Sequence, residues 1–338
     1  MIGTFDRRTG RKPLIDTGRQ ATISTQKTTS PAGTPQLIMK KSSALFLAVA
    51  AWGNLSFAED HPARQLTFEQ DDAVWIANID GSSPKKIAGG QAPDLSPDGA
   101  RLAYNTVQAT GQPSHRQIAV VDLASGQTTI LKDIPSDNCM EPRWSPDGKR
   151  LLFNFYVNDE RRIGVVDADG TGFHYVQESE PKHQTYWAAD WAADGQSFFA
   201  EDMENLYRLD LDAKVLKKWA IDKLVPDGEM SGDVRLDASP DGKTLLMDVE
   251  MDEKERKDWD GPPPSIWLLD LATEKVTRLT PKTLYAWDCH WLEAPDSILF
   301  LSQNPGEENA SIYRMSTTGR GKDRLLLVKN ASTPGTSR

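Results

Sequence analysis

The sequence of 338 residues is poor in the residues and runs by which many protein classes are recognised. It has two cysteines, Cys139 and Cys289, and five histidines. Two thiols in a chain of this length cannot form a disulfide scaffold, and both are expected to be free or buried. No apolar run reaches the roughly 20 residues that cross a membrane. Helix-forming residues do not cluster in long runs, which disfavours an all-α fold.

Sequence motifs of common catalytic sites are also missing. The chain has no G-x-S-x-G nucleophile elbow, no H-E-x-x-H zinc motif, no P-loop and no Rossmann glycine pattern. Whether the protein is an enzyme is left uncertain by this absence, and a non-catalytic role is favoured.

Positive charge is scarce in most of the chain. Beyond residue 58, 31 Lys and Arg stand against 47 Asp and Glu, a net charge of −16. Phosphate binding needs a positive surface, so nucleic acid is excluded as the expected partner. Binding to anionic lipid is disfavoured for the same reason.

Residues 39–58 have the organisation of a secretory signal peptide. Two lysines precede a short apolar run, and Ser56-Phe57-Ala58 provides small residues at a cleavage site. The sequence therefore predicts a periplasmic or secreted protein whose mature chain begins near Glu59. Residues 1–38 are polar and are interpreted as an over-long gene start, with a disordered leader as the alternative.

One turn motif recurs along the chain. Its clearest copy is "WSPDGKRLLF" from Trp144, in which Pro presets φ, Asp caps the turn and Gly takes the positive φ. The Asp of successive copies is separated by intervals of 49, 47, 47 and 55 residues. Its positions are Asp98, Asp147, Asp194, Asp241 and Asp296.

Periods of this length are typical of propellers and solenoids. Each interval has four apolar segments separated by turns, which indicates four antiparallel strands. A radial arrangement leaves no long exposed sheet edge. The sequence therefore predicts an all-β fold, a six-bladed β-propeller of four-stranded antiparallel blades over residues 59–332. An extended solenoid is the alternative.

The first repeat lacks a clear inner strand. The end of the chain is polar and contains Pro334 and Gly335, which are poor strand residues. The sequence therefore predicts a loosely closed ring and a disordered tail over residues 333–338.

The repeated module, followed by a strand ending in V-D, resembles the WD40-like (PD40) repeat of TolB-type propellers. The resemblance covers residues 64–330, although the copy at Trp191 lacks the Pro and the copy at Trp291 lacks the Gly. The resemblance implies a β-propeller fold and export of the protein from the cytoplasm. TolB has an additional N-terminal α/β domain that has no counterpart after Glu59, so this chain is not expected to be TolB, and the Tol–Pal partners are not implied.

Long loops are predicted on the propeller face opposite the Asp-Gly turns, where function is expected. Four aromatic residues in these loops are candidate ligand-binding residues that could stack on a sugar or anchor a partner protein. The alternative is that they pack against neighbouring loops. These residues are Tyr186, Trp187, Tyr285 and Trp287.

A second candidate site is the ring of residues that precede the bulky inner-strand position. Asp94, Asp190, Asp237 and His290 align there together with Arg143. Three carboxylates and an imidazole around one axis could hold Ca²⁺ or Mn²⁺. The alternative is that the carboxylates accept hydrogen bonds from backbone N–H groups.

The favoured function is an exported binding or scaffold module for a protein, peptide or glycan ligand of the cell envelope, expected to be a monomer. The alternative is a metal-assisted polysaccharide lyase, because His290 before Trp291 is similar to the channel histidines of oligogalacturonate lyases. In that case His290 would be catalytic, holding a metal that acidifies the proton next to a uronate carboxylate.

Overall fold

The structure is a computed structural model that describes residues 64–107, 115–158, 160–176, 186–232, 234–253 and 256–337. Within these ranges the chain forms 24 strands and one four-residue helix, so the all-β class is confirmed. The predicted leader and signal peptide lie outside the described residues. No helix in the described ranges is long and apolar enough to span a membrane.

The strands are numbered in chain order. They are β1 (Gln65–Gln70), β2 (Ala73–Asn78), β3 (Lys85–Leu95), β4 (Arg101–Thr106), β5 (Ile118–Asp122), β6 (Thr128–Ile130), β7 (Cys139–Trp144), β8 (Arg150–Val157), β9 (Glu160–Asp167), β10 (His174–Tyr175), β11 (Trp187–Trp191), β12 (Ser197–Glu201), β13 (Asn205–Asp210), β14 (Val215–Ala220), β15 (Gly228–Glu229), β16 (Leu236–Ala238), β17 (Thr244–Met251), β18 (Pro264–Asp270), β19 (Val276–Arg278), β20 (Ala286–Glu293), β21 (Ser297–Ser302), β22 (Ser311–Ser316), β23 (Leu325–Val328) and β24 (Ser332–Thr336). The helix α1 (Ile221–Leu224) follows β14.

The strands of each sheet pair antiparallel, mostly with their neighbours in the sequence. Strands β7–β10, β11–β14 and β20–β23 form four-stranded sheets, and β15 and β16 both pair with β17 in the sheet of β17–β19. A seven-stranded sheet has the order β24-β1-β2-β3-β4-β5-β6. The innermost strands β3, β7, β11, β16, β20 and β24 pack against one another in this order, and β24 packs back against β3. The architecture is a β-propeller.

Apolar cores fill the spaces between adjacent sheets. One core combines Ala103 and Ile118 of β4 and β5 with Trp144 and Phe153 of β7 and β8. Both faces of such a sheet are covered, so its strands are apolar throughout instead of alternating. This explains the segment Leu151–Phe155, in which all five side chains are buried and four are apolar.

The repeated turn is structural, as its chemistry predicts. The hydroxyl of Ser145 donates to Asp147 Oδ1 over 2.6 Å, and the Lys149 backbone N–H donates to the same oxygen over 3.1 Å. The hydrogen bond from Ser145 is the main cause that lowers the pKa of Asp147. Gly148 closes the turn with a φ of 67°.

Substitution of Gly148 by Ala should lower the free energy of unfolding by about 1 kcal/mol, since a Cβ is disfavoured at this φ. The nearest heavy atom to the added Cβ is Pro97 Cδ at 3.6 Å, so backbone strain would dominate over steric clash. Gly89→Ala is the matched control, because that glycine has no positive φ and room for a Cβ. Urea unfolding of both variants measures the difference. Equal effects at the two positions would contradict this account.

The bulky residue before each turn joins neighbouring sheets. The Trp144 indole N–H donates to the Asp94 carbonyl oxygen over 3.0 Å. The Arg101 guanidinium lies 4.5 Å from the centre of the same indole and donates to the Gly148 carbonyl oxygen over 2.6 Å. Trp191 and Arg150 repeat this arrangement one sheet further on.

The predicted loose closure is wrong, and so is the disordered tail predicted over residues 333–338, as far as the structure describes it, to residue 337. Residues Ser332–Thr336 form β24, which pairs antiparallel with β1 through Leu66↔Thr336, Thr67↔Gly335 and Glu69↔Ser332. All five residues of β24 are buried. Gly335 suits this place because a Cβ there would lie 2.8 Å from Thr67 Oγ1. Pairing with the edge of β1 therefore overrides the low strand propensity of the segment.

The prediction for the two cysteines is confirmed. Cys139 and Cys289 are both free and buried. Burial raises the pKa of the Cys139 thiol to about 12, so it stays protonated and unreactive at neutral pH.

Candidate functional site

Several of the innermost strands contain a β-bulge. The register of strand pairing shifts between Gln91 and Asp94, between Met140 and Arg143, and between Trp287 and His290. A residue within each bulge adopts the left-handed region, with φ of 49° at Ala92, 56° at Glu141 and 50° at Asp288. Such bulges bend a strand and redirect its side chains.

A cavity of about 300 Å³ lies where the innermost strands begin, on the face opposite the Asp-Gly turns. This volume is at the lower end of the range for small-ligand pockets. We call it the channel-mouth cavity. Each innermost strand or its leading segment contributes to the lining, through Gln91, Met140, Trp187, Val234, Trp287 and Thr333.

Seven charged residues also line the channel-mouth cavity. Four are arginines and three are carboxylates, so the lining has a small positive excess within an acidic protein. They are Arg116, Arg143, Arg161, Arg235, Glu69, Glu141 and Asp288.

Arg235 is fixed by groups of the protein itself. Its Nη1 donates to Asp288 Oδ1 over 3.3 Å, and its Nη2 lies 3.2 Å from His290 Nδ1. Burial acts to lower the pKa of Arg235, but the carboxylates of Asp288 and Asp237 outweigh it and raise the pKa above its ordinary value. The positive charge of Arg235 is therefore matched by carboxylates of the protein.

Arg161 is also held in place. Its guanidinium lies 4.7 Å from the centre of the Trp187 ring, and its Nη2 is 4.0 Å from Glu141 Oε2. It also donates to Asn154 Oδ1 and, over 3.4 Å, to the Gly232 carbonyl oxygen. Arg161 thus occupies the face of an indole that lines the cavity.

Arg143 differs from these two arginines. It is 6% exposed, and within the described ranges its guanidinium makes one long hydrogen bond, 3.4 Å to the Pro142 carbonyl oxygen, and no ion pair. Burial, followed by the charge of Arg235, lowers the pKa of Arg143 to about 10. The guanidinium therefore remains positive at neutral pH and lines the cavity without a carboxylate bound to it.

The four predicted aromatic ligand residues separate into two groups. Trp187 and Trp287 line the channel-mouth cavity. Tyr186 and Tyr285 lie in the core, where Tyr186 packs edge-on against Tyr207 and Tyr285 packs against Trp259. Tyr186 and Trp187 are adjacent, and successive side chains of an extended strand point to opposite sides. Tyr285 and Trp287 are two residues apart and both pack against Trp259, so alternation does not separate them.

The predicted cation ring is joined by direct hydrogen bonds to the backbone. Asp94 Oδ2 accepts from the Trp144 N–H over 2.7 Å. Asp190 Oδ2 accepts from Ala238 N–H over 3.1 Å, and Asp237 Oδ2 from Trp291 N–H over 2.6 Å. Each carboxylate therefore connects its strand to the next innermost strand, which is the alternative that the sequence left open.

His290 is 1% exposed, and its Nδ1 lies 2.7 Å from Asp237 Oδ2. It does not belong to the cavity lining. In the part of the chain that the structure describes, no group of three or more His, Cys, Asp or Glu side chains is arranged to hold a metal ion. Ca²⁺ or Mn²⁺ at Asp94, Asp190, Asp237 and His290 stays a prediction.

Sequence reasoning missed the charged residues of the cavity. Arg143 belongs to the aligned ring, but its longer side chain reaches the cavity where Asp94 and Asp190 bond to the backbone. Glu141 and Asp288 precede the aligned position by two residues and lie in the bulges. A search of the sequence for charged residues two positions before each aligned residue would have found Glu141 and Asp288.

No protein-family model and no curated protein matches the sequence. Solved structures match over most of the chain. TolB from Acinetobacter baumannii has a TM-score of 0.61 and 20% identity, covering 82% of this chain and 67% of that one. A putative TolB from Agrobacterium tumefaciens has a TM-score of 0.53 and 17% identity, covering 78% and 88%.

A chain in the crystal structure of a nidogen/laminin complex matches with a TM-score of 0.58 at 10% identity, covering 81% of this chain and 98% of that one. Identities this low describe the fold and carry no information on the ligand. The chain therefore has a TolB-like β-propeller fold, as the resemblance of the repeats implied.

Proposed function

We propose that the chain is an exported, six-bladed binding module that takes a protein, peptide or cell-envelope ligand at the channel-mouth cavity without changing it chemically. The observation that carries this proposal is the cavity itself. Its lining comes from the six innermost strands or the segments that lead into them, so a rigid frame holds it. The lining is mixed in charge and contains two indoles. Such a cavity on a rigid propeller suits recognition.

The count of six blades is supported by strand β3. Its residues 85–89 pair with β2, whereas residues 90–95 pair with β4. The seven-stranded sheet can therefore be read as two four-stranded blades that share this long strand. The cyclic packing of six innermost strands supports the same count.

Binding is favoured over the lyase alternative by the position of His290. A metal-assisted lyase would need this imidazole at an open site that the substrate can reach. Its burial and its contacts with Asp237 and Arg235 favour a structural role.

Photo-crosslinking in the producing cells tests the binding function. A benzophenone amino acid at Tyr156, which lines the cavity, should give one discrete adduct whose partner mass spectrometry identifies. The matched control is the same group at Ala100, which is exposed in an Asp-Gly turn on the opposite face. Fractionation of the same cells should recover the protein outside the cytoplasm with Glu59 as its first residue.

Equal adducts from both positions, or none from Tyr156, would contradict the binding of a macromolecular partner at the cavity. An N-terminus upstream of Lys40 in the recovered protein would contradict export through residues 39–58.

A further inference from the structure

We propose that the channel-mouth cavity is a carboxylate site in which Arg143 supplies the positive charge that holds the ligand. This inference rests on the proposed binding function and names the chemical class that the site takes.

The first argument is the state of Arg143. A buried charge without a partner costs several kcal/mol, and natural proteins usually pair such a group or remove it. Arg143 is nine-tenths buried, lines the cavity and has no ion pair among the described residues. The carboxylates of Asp94, Asp190 and Asp288 act on this charge from beyond ion-pair distance. A ligand carboxylate in direct contact would supply the close partner that these residues do not provide.

The second argument is that the neighbouring arginines are already engaged. Arg235 contacts Asp288, and Arg161 contacts Glu141 while it covers Trp187. Arg116 donates to Asn138 Oδ1 over 3.1 Å. A ligand anion would therefore gain most from Arg143, and it need not displace an internal carboxylate to do so.

A second donor is present in the same lining. Trp287 is 5% exposed, and its Nε1 has no hydrogen-bond partner among the described residues. A buried indole N–H normally has an acceptor, so a ligand oxygen would satisfy it. Its ring packs against Trp259, with 5.4 Å between the ring centres, which fixes its orientation.

The class of anion follows from shape and charge. A guanidinium presents parallel N–H donors that match the two oxygens of a carboxylate. Three carboxylates in the lining, Glu69, Glu141 and Asp288, disfavour an anion with two charges, such as phosphate. The volume of about 300 Å³ accommodates a compact group such as a chain end or a single sugar acid.

Calorimetric titration of the purified protein tests this inference. The probes are N-acetyl-alanyl-alanine, its C-terminal amide, galacturonate and inorganic phosphate. We expect at least one free carboxylate to bind, and the amide to bind at least about 10-fold more weakly, because a hydrogen bond to a charged group contributes about 1.5–3 kcal/mol. The tighter of the peptide acid and galacturonate identifies whether the carboxylate comes from a peptide end or from a sugar acid.

Three variants locate the binding. Arg143→Met should abolish carboxylate binding and leave the unliganded melting temperature unchanged or higher, since an unpaired buried charge is removed. Arg143→Lys should keep the charge but bind about 10-fold more weakly, since it lacks the planar fork. Arg162→Met is the matched control, because Arg162 pairs with Glu160 outside the lining, and its affinity should equal that of the parent.

The inference is overturned if neither carboxylate binds, if the amide binds as tightly as the acid, or if phosphate binds more tightly than both carboxylates. Carboxylate affinity within about threefold of the parent in folded Arg143→Met would also overturn it. If a partner is crosslinked at Tyr156 but neither carboxylate probe binds, the carboxylate site is rejected and the proposed binding function is retained. Carboxylate binding without any adduct at Tyr156 would reject a macromolecular partner and retain the carboxylate site.

Discussion

Deletion of residues 331–338 is expected to lower the free energy of unfolding by about 3–6 kcal/mol, because several backbone hydrogen bonds of about 1 kcal/mol each are lost with the burial they accompany. The deletion removes β24 and exposes the edge of β1, where Leu66 and Phe68 are almost completely buried. It also removes the Thr333 hydroxyl that donates to Glu69 Oε2 over 3.3 Å.

Urea unfolding and amide hydrogen exchange measure this effect. Amides of β1 should be protected in the parent and exchange rapidly in the truncated chain. Deletion of residues 337–338 alone is the matched control, because it leaves all of β24 in place. If β1 is as protected without residues 331–338 as with them, the strand does not close the ring.

Substitution of Asp248 by Asn is expected to raise stability by an amount that grows with pH. Asp248 is 5% exposed, and burial, together with the charge of Asp288, raises its pKa to about 8 although the Arg235 backbone N–H acts to lower it. In the unfolded chain an Asp titrates near a pKa of about 4. Between these two values the folded protein holds a proton that the unfolded chain has released.

The sign of the effect follows from this difference. The folded state binds more protons between pH 4 and pH 8, so its stability falls as the pH rises through that window. At about 1.4 kcal/mol per pH unit, the advantage of the variant should grow from near zero at pH 4 to about 4–6 kcal/mol at pH 8. Asn can keep the hydrogen bond that Asp248 Oδ1 accepts from the Arg235 N–H over 2.7 Å.

Asp241→Asn is the matched control for this experiment. The hydrogen bond from Ser239 is the main cause that lowers the pKa of Asp241 to about 2. Its contribution to stability is present above pH 4 and is lost as the pH falls towards 2. Between pH 4.5 and 8.5 the difference between this variant and the parent should stay constant. A constant difference for Asp248→Asn in the same range would contradict its raised pKa.

The blades and turns could be predicted from sequence because their chemistry is local. Asp147 and Gly148 form their turn with residues within five positions, so a short pattern contains everything that defines it. The strand β24 could not be predicted in this way. Its stability comes from β1, more than 260 residues earlier in the chain, and its own Pro334 and Gly335 point away from a strand.

The site was predictable only in outline. Alignment of the repeats correctly brought Trp187 and Trp287 to the cavity face, because every innermost strand has the same direction. It could not show that Tyr186 and Tyr285 turn into the core, or that Arg143 reaches the cavity while Asp94 bonds to a backbone N–H. Those outcomes depend on bulge geometry and side-chain length, which a repeat pattern does not record.

The pairing of β1 with β24 has a consequence for the order in which the molecule assembles. The Gln70 side chain donates to the Lys329 carbonyl oxygen across 259 positions of sequence, and every other described sheet is built from strands that are close in the chain. Such distant contacts form late in folding. If the chain crosses a membrane from its N-terminus, as proposed, β1 would emerge first and could pair with β2. Its other edge would stay unpaired until β24 emerges, so the cavity would reach its final shape only after the last strand has bound.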